Sequence, residues 1–140
     1  MTELCRQLEK KFEVTGLKEH TPKRIYMEVP RRQISDVAKF LFQEHALRFC
    51  IATATDTRRG FEILYHFGED KTGIIYSIRV FVPKDDPRIA SLAPSLPAAN
   101  WIEREIHELL GVDFDGHPNL EPLLTAEDWP RDRYPLRRGE

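Results

Sequence analysis

The apolar residues of this chain change their spacing several times before residue 97. Leu4, Leu8 and Phe12 recur at helical spacing, which predicts a short amphipathic helix over about residues 3–12. The segment "KRIYMEVP" predicts a strand that ends at Pro30. A second helix is predicted in "ISDVAKFLFQEHA", where the apolar residues share one helical stripe. These residues are Ile34, Val37, Ala38, Leu41 and Phe42.

Three later segments alternate apolar and polar side chains with period two, as half-buried strands do. They are "RFCIATATD", "FEILYHFG" and "GIIYSIRVFVP". The polar links between them, "TRRG" and "EDKTG", contain glycine and suit hairpin turns. A sheet with one apolar face needs a layer of helices on that face only. The predicted fold is therefore α+β: a two-layer sandwich of a mixed, largely antiparallel sheet with helices on one face.

Prolines at 83, 87, 94 and 97 interrupt the chain before the next helical pattern, "NWIEREIHELLG". Asn100 with Glu103 three residues later predicts a capping-box start, and Gly111 predicts the C-terminal stop. An apolar stripe should dock this helix, and a dense charged set should cover its other face. The stripe is Ile102, Ile106, Leu109 and Leu110; the charged set is Glu103, Arg104, Glu105, His107 and Glu108.

Two interpretations of the charged face stay open: a solvated surface or a partner-binding surface. Exposed pairs at helical spacing, such as Glu103 with His107, each stabilise a helix by only about 0.2–0.5 kcal/mol. Stabilisation of the helix by itself is thus a weak reason for so many charges.

The final segment, residues 112–140, combines four prolines with several aromatic and apolar residues. A disordered tail is usually poor in such residues. We therefore predict an extended proline-rich C-terminal arm that lies across another surface, its own or, preferably, a partner's. The chain divides on this interpretation into an α+β domain, residues 1–97, and a signature helix with a docking arm, residues 98–140.

Composition and charge exclude several classes of function. The chain has 140 residues, with 21 basic and 23 acidic side chains and a formal net charge of -2. This balance gives no general attraction to nucleic acid or to an anionic membrane. The N-terminal pattern is not that of a signal peptide, so we expect a cytoplasmic protein. Cys5 and Cys50 form no Cys-x-x-Cys pair and are expected to be reduced.

The segment "HELLGVDFDGH" shares letters with zinc-protease helices but does not complete their ligand set. His107, Glu108 and His117 fall in register with the first His, the Glu and the third His of that motif. The second His is replaced by Gly111, so two ligands remain where three are needed. A zinc hydrolase is thus a remote hypothesis, and no metal site is predicted.

The residues from 101 onward resemble the signature of the C-type subunit of bacterial NADH-quinone oxidoreductase, respiratory complex I. They also resemble its relatives in membrane-bound energy-converting nickel–iron hydrogenases. The matching stretches are "EREIHELLGVDFDGHPNL", then "LL", "DWP" and "YPLRR". The residues that match in order and spacing are Glu103, Arg104, Glu105, Glu108, Gly111, Phe114, Gly116, His117, Pro118, Leu120, Pro135, Leu136 and Arg137.

Some positions depart from the complex I form of this signature. His107 and Glu108 stand where an aromatic residue and Asp are usual, Leu110 replaces an aromatic residue, and Asn119 replaces Asp. The His-Glu-Leu version is more similar to the hydrogenase branch. The resemblance therefore leaves the electron donor and acceptor open.

What the resemblance implies is a cofactor-free peripheral subunit of a membrane-associated redox complex, on the inner face of the cell membrane. Its partners would be a catalytic large subunit, of the quinone-site or nickel–iron type, and an iron–sulfur small subunit, with membrane contact only through the complex. Gly116-His117-Pro118 would form a fixed turn, with His117 either hydrogen-bonded in it or exposed. The expected interface residues are Glu103, Arg104, Glu105, His107, Glu108, Phe114, His117, Trp129, Tyr134 and Arg137. The alternative is a free-standing α+β binding module that uses the same arm on itself.

Overall fold

The computed structural model describes residues 2–121 and 133–137 of the chain. Its helices are α1 (Glu3–Lys11), α2 (Ile34–Lys39) and α3 (Asn100–Leu110). Its strands are β1 (Thr15–Thr21), β2 (Arg24–Glu28), β3 (Arg48–Thr57), β4 (Gly60–Glu69), β5 (Ile74–Val82), β6 (Arg88–Ala90) and β7 (Asp113–Asp115). Single turns of 3-10 helix precede α2 and α3, at Arg31–Gln33 and Pro97–Ala99, and a π-helical turn, Phe40–Glu44, extends α2.

The main sheet has five strands in the order β1-β2-β5-β4-β3. β2 pairs parallel with β5, and the other three pairings are antiparallel. The strands β6 and β7 form a separate parallel pair. The prediction of an α+β fold with a mixed, largely antiparallel sheet is confirmed.

The period-two pattern of the strands produces one buried face of the sheet. On β4, the side chains of Phe61, Ile63, Tyr65 and Phe67 are buried, and they share a core with Leu8 of α1. Each such apolar side chain stabilises the fold by about 1.5–3 kcal/mol when fully buried. The opposite face is more polar: there Arg79 Nε donates to Glu62 Oε1 at 2.6 Å.

Three strands, β1, β6 and β7, were not predicted from the sequence. β1 has the sequence "TGLKEHT", and all its residues but one are exposed. It contains no apolar alternation, and its place in the sheet comes from backbone pairing with β2. The β6–β7 pair is only three residues long on each side, too short for a periodic signal.

The C-terminal elements share the core of the sheet. Ile106, Leu110, Val112 and Phe114 belong to the same buried cluster as the strand residues. The predicted division into residues 1–97 and 98–140 is thus not a division of the core, and it remains a prediction about chain organisation. Within the described part of the chain, no helix is long and apolar enough to cross a lipid bilayer.

Candidate partner-binding site

The helix α3 carries most of the predicted interface residues, and its start differs from the prediction. Its N-cap is Ala99, and no side chain caps it. The predicted capping box is wrong because Asn100 is already helical and the Glu103 side chain bonds to a loop instead. The predicted stop is confirmed: Gly111 has φ 80°, and its N–H donates to His107 O at 2.8 Å.

Glu103 is buried in this chain, with 1% of its surface exposed. Its carboxylate accepts hydrogen bonds from Ser91 Oγ at 2.6 Å and from the Leu92 N–H at 2.8 Å. The Ala93 N–H in turn donates to Ser91 Oγ at 3.1 Å. Of the two interpretations left open by the sequence, a solvated surface therefore does not hold for Glu103, and Glu108 is buried as well. The buried carboxylate of Glu103 ties α3 to the loop that precedes it.

Burial also changes the acidity of two groups in this region. Burial raises the pKa of Glu103, while the hydrogen bonds from Ser91 and Leu92 oppose that rise. Burial, and secondarily the charge of Glu103, raise the pKa of Tyr65 well above its ordinary value. The Tyr65 hydroxyl has no hydrogen-bond partner among the described residues.

His117 occupies a fixed turn and has a fully buried side chain. The Asn119 N–H donates to Nδ1 at 2.9 Å, so the proton of the neutral ring lies on Nε2. Nε2 then donates to Asn100 O at 3.0 Å and stands 4.0 Å from Glu103 Oε1. Of the two possibilities left open by the sequence, the hydrogen-bonded one is therefore observed. His117 joins the turn at Gly116, where φ is 85°, to the start of α3.

The geometry of the two histidines argues against a zinc site. His107 Nδ1 donates to Val112 O at 2.9 Å and lies 3.3 Å from Asp113 Oδ1. Both ring nitrogens of His117 already bond the backbone, so neither is available to a metal. Among residues 2–121 and 133–137, no group of three or more metal-ligating side chains converges.

The described end of the predicted arm, residues 133–137, packs on the end of α3 in the same chain. Leu136 N–H donates to Leu109 O and Arg137 Nε to Leu110 O, each at 3.0 Å. The Arg137 guanidinium lies 4.6 Å from the centre of the Tyr134 ring. A Cβ at Gly111 would come within 2.6 Å of Arg137 Nη2 and 2.8 Å of the Tyr134 ring. The contacts observed for Tyr134 and Arg137 are thus intramolecular.

Other predicted interface residues lie in different surroundings. Phe114 is 2% exposed and belongs to the core, while Arg104 is half-buried and donates through Nε to Glu121 O at 3.0 Å. Glu105 is half-buried, and its carboxylate has no hydrogen bond or ion pair within the described residues. Trp129 lies outside the described residues, as does the middle of the predicted arm. That all ten residues contact a partner remains a prediction.

Sequence reasoning missed an apolar surface beside Glu105. Trp101 of α3 is 67% exposed, although it lies within the signature helix. A groove of about 270 Å³ runs between α3 and β3. Its lining residues are Ile51, Ala52, Thr53, Ala54, Ile102, Glu105, Ile106, Leu109, Leu110 and Leu136. A tryptophan outside the apolar stripe of the predicted helix was the one sequence signal for this surface.

A protein-family model described as "Respiratory-chain NADH dehydrogenase, 30 Kd subunit" matches residues 27–139. The chain belongs to this family. The resemblance predicted from the signature is thereby confirmed, and the match extends over the sheet as well as over α3. It makes the chain a subunit of the type found in complexes related to NADH-quinone oxidoreductase.

Individual relatives agree with this assignment. The chain is 33% identical over 123 residues to the C-type subunit of NADH-quinone oxidoreductase from Nocardioides sp., a match that covers 80% of this chain and 49% of the relative. It is 40% identical over 70 residues to NADH-quinone oxidoreductase subunit 5 of Thermus thermophilus, covering 50% of this chain and 33% of the relative. The chain thus spans half or less of the length of these curated relatives.

A solved structure also matches the fold over almost the whole chain. It comes from the membrane-bound sulfane sulfur reductase, an archaeal respiratory membrane complex. The similarity has a TM-score of 0.82 at 27% sequence identity and covers 96% of this chain and 82% of the other.

Proposed function

We propose that this chain is a cofactor-free, non-catalytic peripheral subunit of a membrane-associated redox complex. The complex is of the NADH-quinone oxidoreductase type or a related energy-converting hydrogenase. The chain docks on the catalytic large subunit and on the iron–sulfur small subunit, on the cytoplasmic face of the membrane, and reaches the membrane only through the complex. The observation that carries this proposal is the family match over residues 27–139.

The geometry of α3 supports a docking role. Glu103 and His117 fix the inner side of the helix to the rest of the chain through hydrogen bonds. The outer side presents Trp101, Arg104 and Glu105 on a backbone that is already ordered. A surface that is rigid before binding loses less conformational entropy when a partner docks.

One observation favours the alternative, a free-standing binding module. The residues Tyr134–Arg137 bond to α3 of their own chain, as an arm that folds back on itself would do. In that case the isolated chain is a monodisperse protein with a protease-resistant C-terminal region, and it binds its target without a redox complex.

Purification of the tagged full chain from its native host discriminates between the two. We expect the large catalytic subunit and the iron–sulfur subunit to be retained in stoichiometric amounts, as identified by mass spectrometry. Recovery of the chain alone, from membranes solubilised under conditions that keep redox complexes intact, would contradict the proposed function.

A further inference from the structure

The groove between α3 and β3 combines an open strand edge, exposed apolar side chains and a carboxylate without a partner among the described residues. We propose that this groove binds an extended, mostly apolar segment of a neighbouring subunit that places a lysine or arginine against Glu105. The inference rests on the proposed function only in that the segment belongs to the same complex.

The open edge of β3 determines the conformation of the bound segment. β3 is the last strand of the sheet, and β4 is its one partner among the described strands. Residues 51–54 line the groove, and no main-chain group of the described residues bonds to their outer edge. Alternate N–H and C=O groups of an edge strand are ready to pair with another strand. A helix cannot satisfy them because its own main-chain groups are already bonded, so an extended segment fits better.

The apolar side chains around the groove favour burial by a partner. Ile51 is 48% exposed and Leu136 is 57% exposed, and the lining also includes Ile102 and Leu109. Trp101 lies one helical turn before Glu105, on the same side of α3. Tryptophan is enriched among the residues that contribute most to protein–protein affinity. Among the described residues that line the groove, Glu105 is the one charged side chain, and most of the others are apolar.

Glu105 determines the charge of the bound segment. It is half-buried at the groove, and no cation of the described residues pairs with it. Covering a carboxylate with apolar groups is unfavourable unless a cation compensates for the lost hydration. A basic side chain on the segment supplies that cation, and an acidic segment is rejected.

Hydrogen exchange of the wild-type protein tests the strand-edge pairing. The amides among residues 51–54 that point away from β4 should exchange at least about tenfold more slowly in the purified complex than in the isolated chain. The opposite edge strand, Thr15–Thr21, provides an internal control whose exchange should not change. Equal rates at residues 51–54 in the two samples would overturn the inference. Protection that is already complete in the isolated chain would do the same, because the chain itself would then occupy the edge.

Charge reversal tests the ionic contact. Glu105→Lys should reduce the amount of large subunit retained by at least about tenfold, and Glu105→Gln should reduce it less. Glu9→Lys, at an exposed acid on the remote helix α1, is the matched control and should retain wild-type amounts. If both lysine variants retain the partners equally, the groove is not the docking site. If even the wild-type chain retains no redox subunit, the proposed function itself is wrong.

Discussion

Glu103 and Glu105 are two acids of the same signature helix, two positions apart, but they differ in burial and in hydrogen bonding. Glu103 is buried and accepts hydrogen bonds from the Ser91 hydroxyl and the Leu92 N–H. Glu105 faces the groove, and within the described residues it has no hydrogen bond or ion pair. Two glutamates of one family signature therefore have different structural surroundings. Glu103 is bonded within the chain, whereas Glu105 is unpaired among the described residues, as the proposed docking requires.

The same division runs through the rest of the signature. His117 and Phe114 lie on the inner side with Glu103, where they fix the turn and fill the core. Trp101 lies on the outer side with Glu105. We expect substitutions on the inner side to lower the free energy of unfolding of the isolated chain. Substitutions on the outer side should change assembly and leave that free energy almost unaltered.

The largest expected effect is the loss of Glu103. Glu103→Ala should lower the free energy of unfolding by roughly 3–5 kcal/mol, because it creates a cavity and leaves two buried donors without an acceptor. Glu105→Ala should change it by less than about 0.5 kcal/mol. Urea unfolding of the two isolated variants measures both values, and equal losses would abolish the distinction between the two acids.

A pair of glycines tests whether the segment 133–137 belongs to the inner, structural side. Gly111 and Gly116 both have positive φ, so alanine at either position costs about 1–2 kcal/mol of backbone strain. Only at Gly111 would the new Cβ also collide with Tyr134 and Arg137. Gly111→Ala should therefore cost roughly 1 kcal/mol more than Gly116→Ala in thermal unfolding. Equal losses of stability in the two variants would mean that residues 133–137 do not pack against the end of α3 in solution.

Removal of an unpartnered hydroxyl should have a smaller effect, and of the opposite sign. Tyr65→Phe should be neutral or raise the free energy of unfolding by up to about 1 kcal/mol, since the buried hydroxyl has no hydrogen-bond partner among the described residues. Tyr76→Phe is the matched control. It removes a 2.9 Å hydrogen bond with Thr2 Oγ1 and should cost about 0.5–1.5 kcal/mol. Destabilisation by Tyr65→Phe as large as by Tyr76→Phe would show that Tyr65 has a partner.

The smallest expected effect is a pH dependence due to Glu103. Its pKa is raised in the folded chain, so the folded state holds this proton to higher pH than the unfolded state does. Its contribution to stability is therefore fully present below the unfolded value of about 4.5 and is lost as the pH rises through the folded pKa. The stability of wild type relative to Glu103→Gln should fall over that range. A difference that does not vary with pH would contradict the raised pKa.

The sheet could be predicted because its signal is local. In β4, for example, apolar residues occupy every second position from Phe61 to Phe67, and those side chains are the buried ones. β1 could not be found in this way, since an exposed polar strand has no apolar alternation. It joins the sheet by pairing with β2, whose other neighbour in the sheet is β5, a strand about 50 residues further along the chain.

The burial of Glu103 on the inner side of α3 could not be predicted, because the groups that bond to its carboxylate lie elsewhere in the sequence. Helical spacing puts Glu103 beside Ile106 and Leu110, at the margin of the apolar stripe, whereas its charge favours the solvent side. Its burial is compensated by the donors of Ser91 and Leu92, 12 and 11 residues earlier in the chain, and the helical pattern does not reveal them. The family signature identified the family to which the chain belongs. It did not separate the residues that the subunit uses for itself from those that face outward.

The hydrogen bonds from Leu136 and Arg137 to the carbonyls of Leu109 and Leu110 have a consequence for biosynthesis. A ribosome makes α3 well before it makes the residues that complete its last turn. Until translation reaches Leu136 and Arg137, those two carbonyls lack these donors. A chain truncated before Leu136 should therefore differ from a longer one at the C-terminal end of the very helix that bears the family signature.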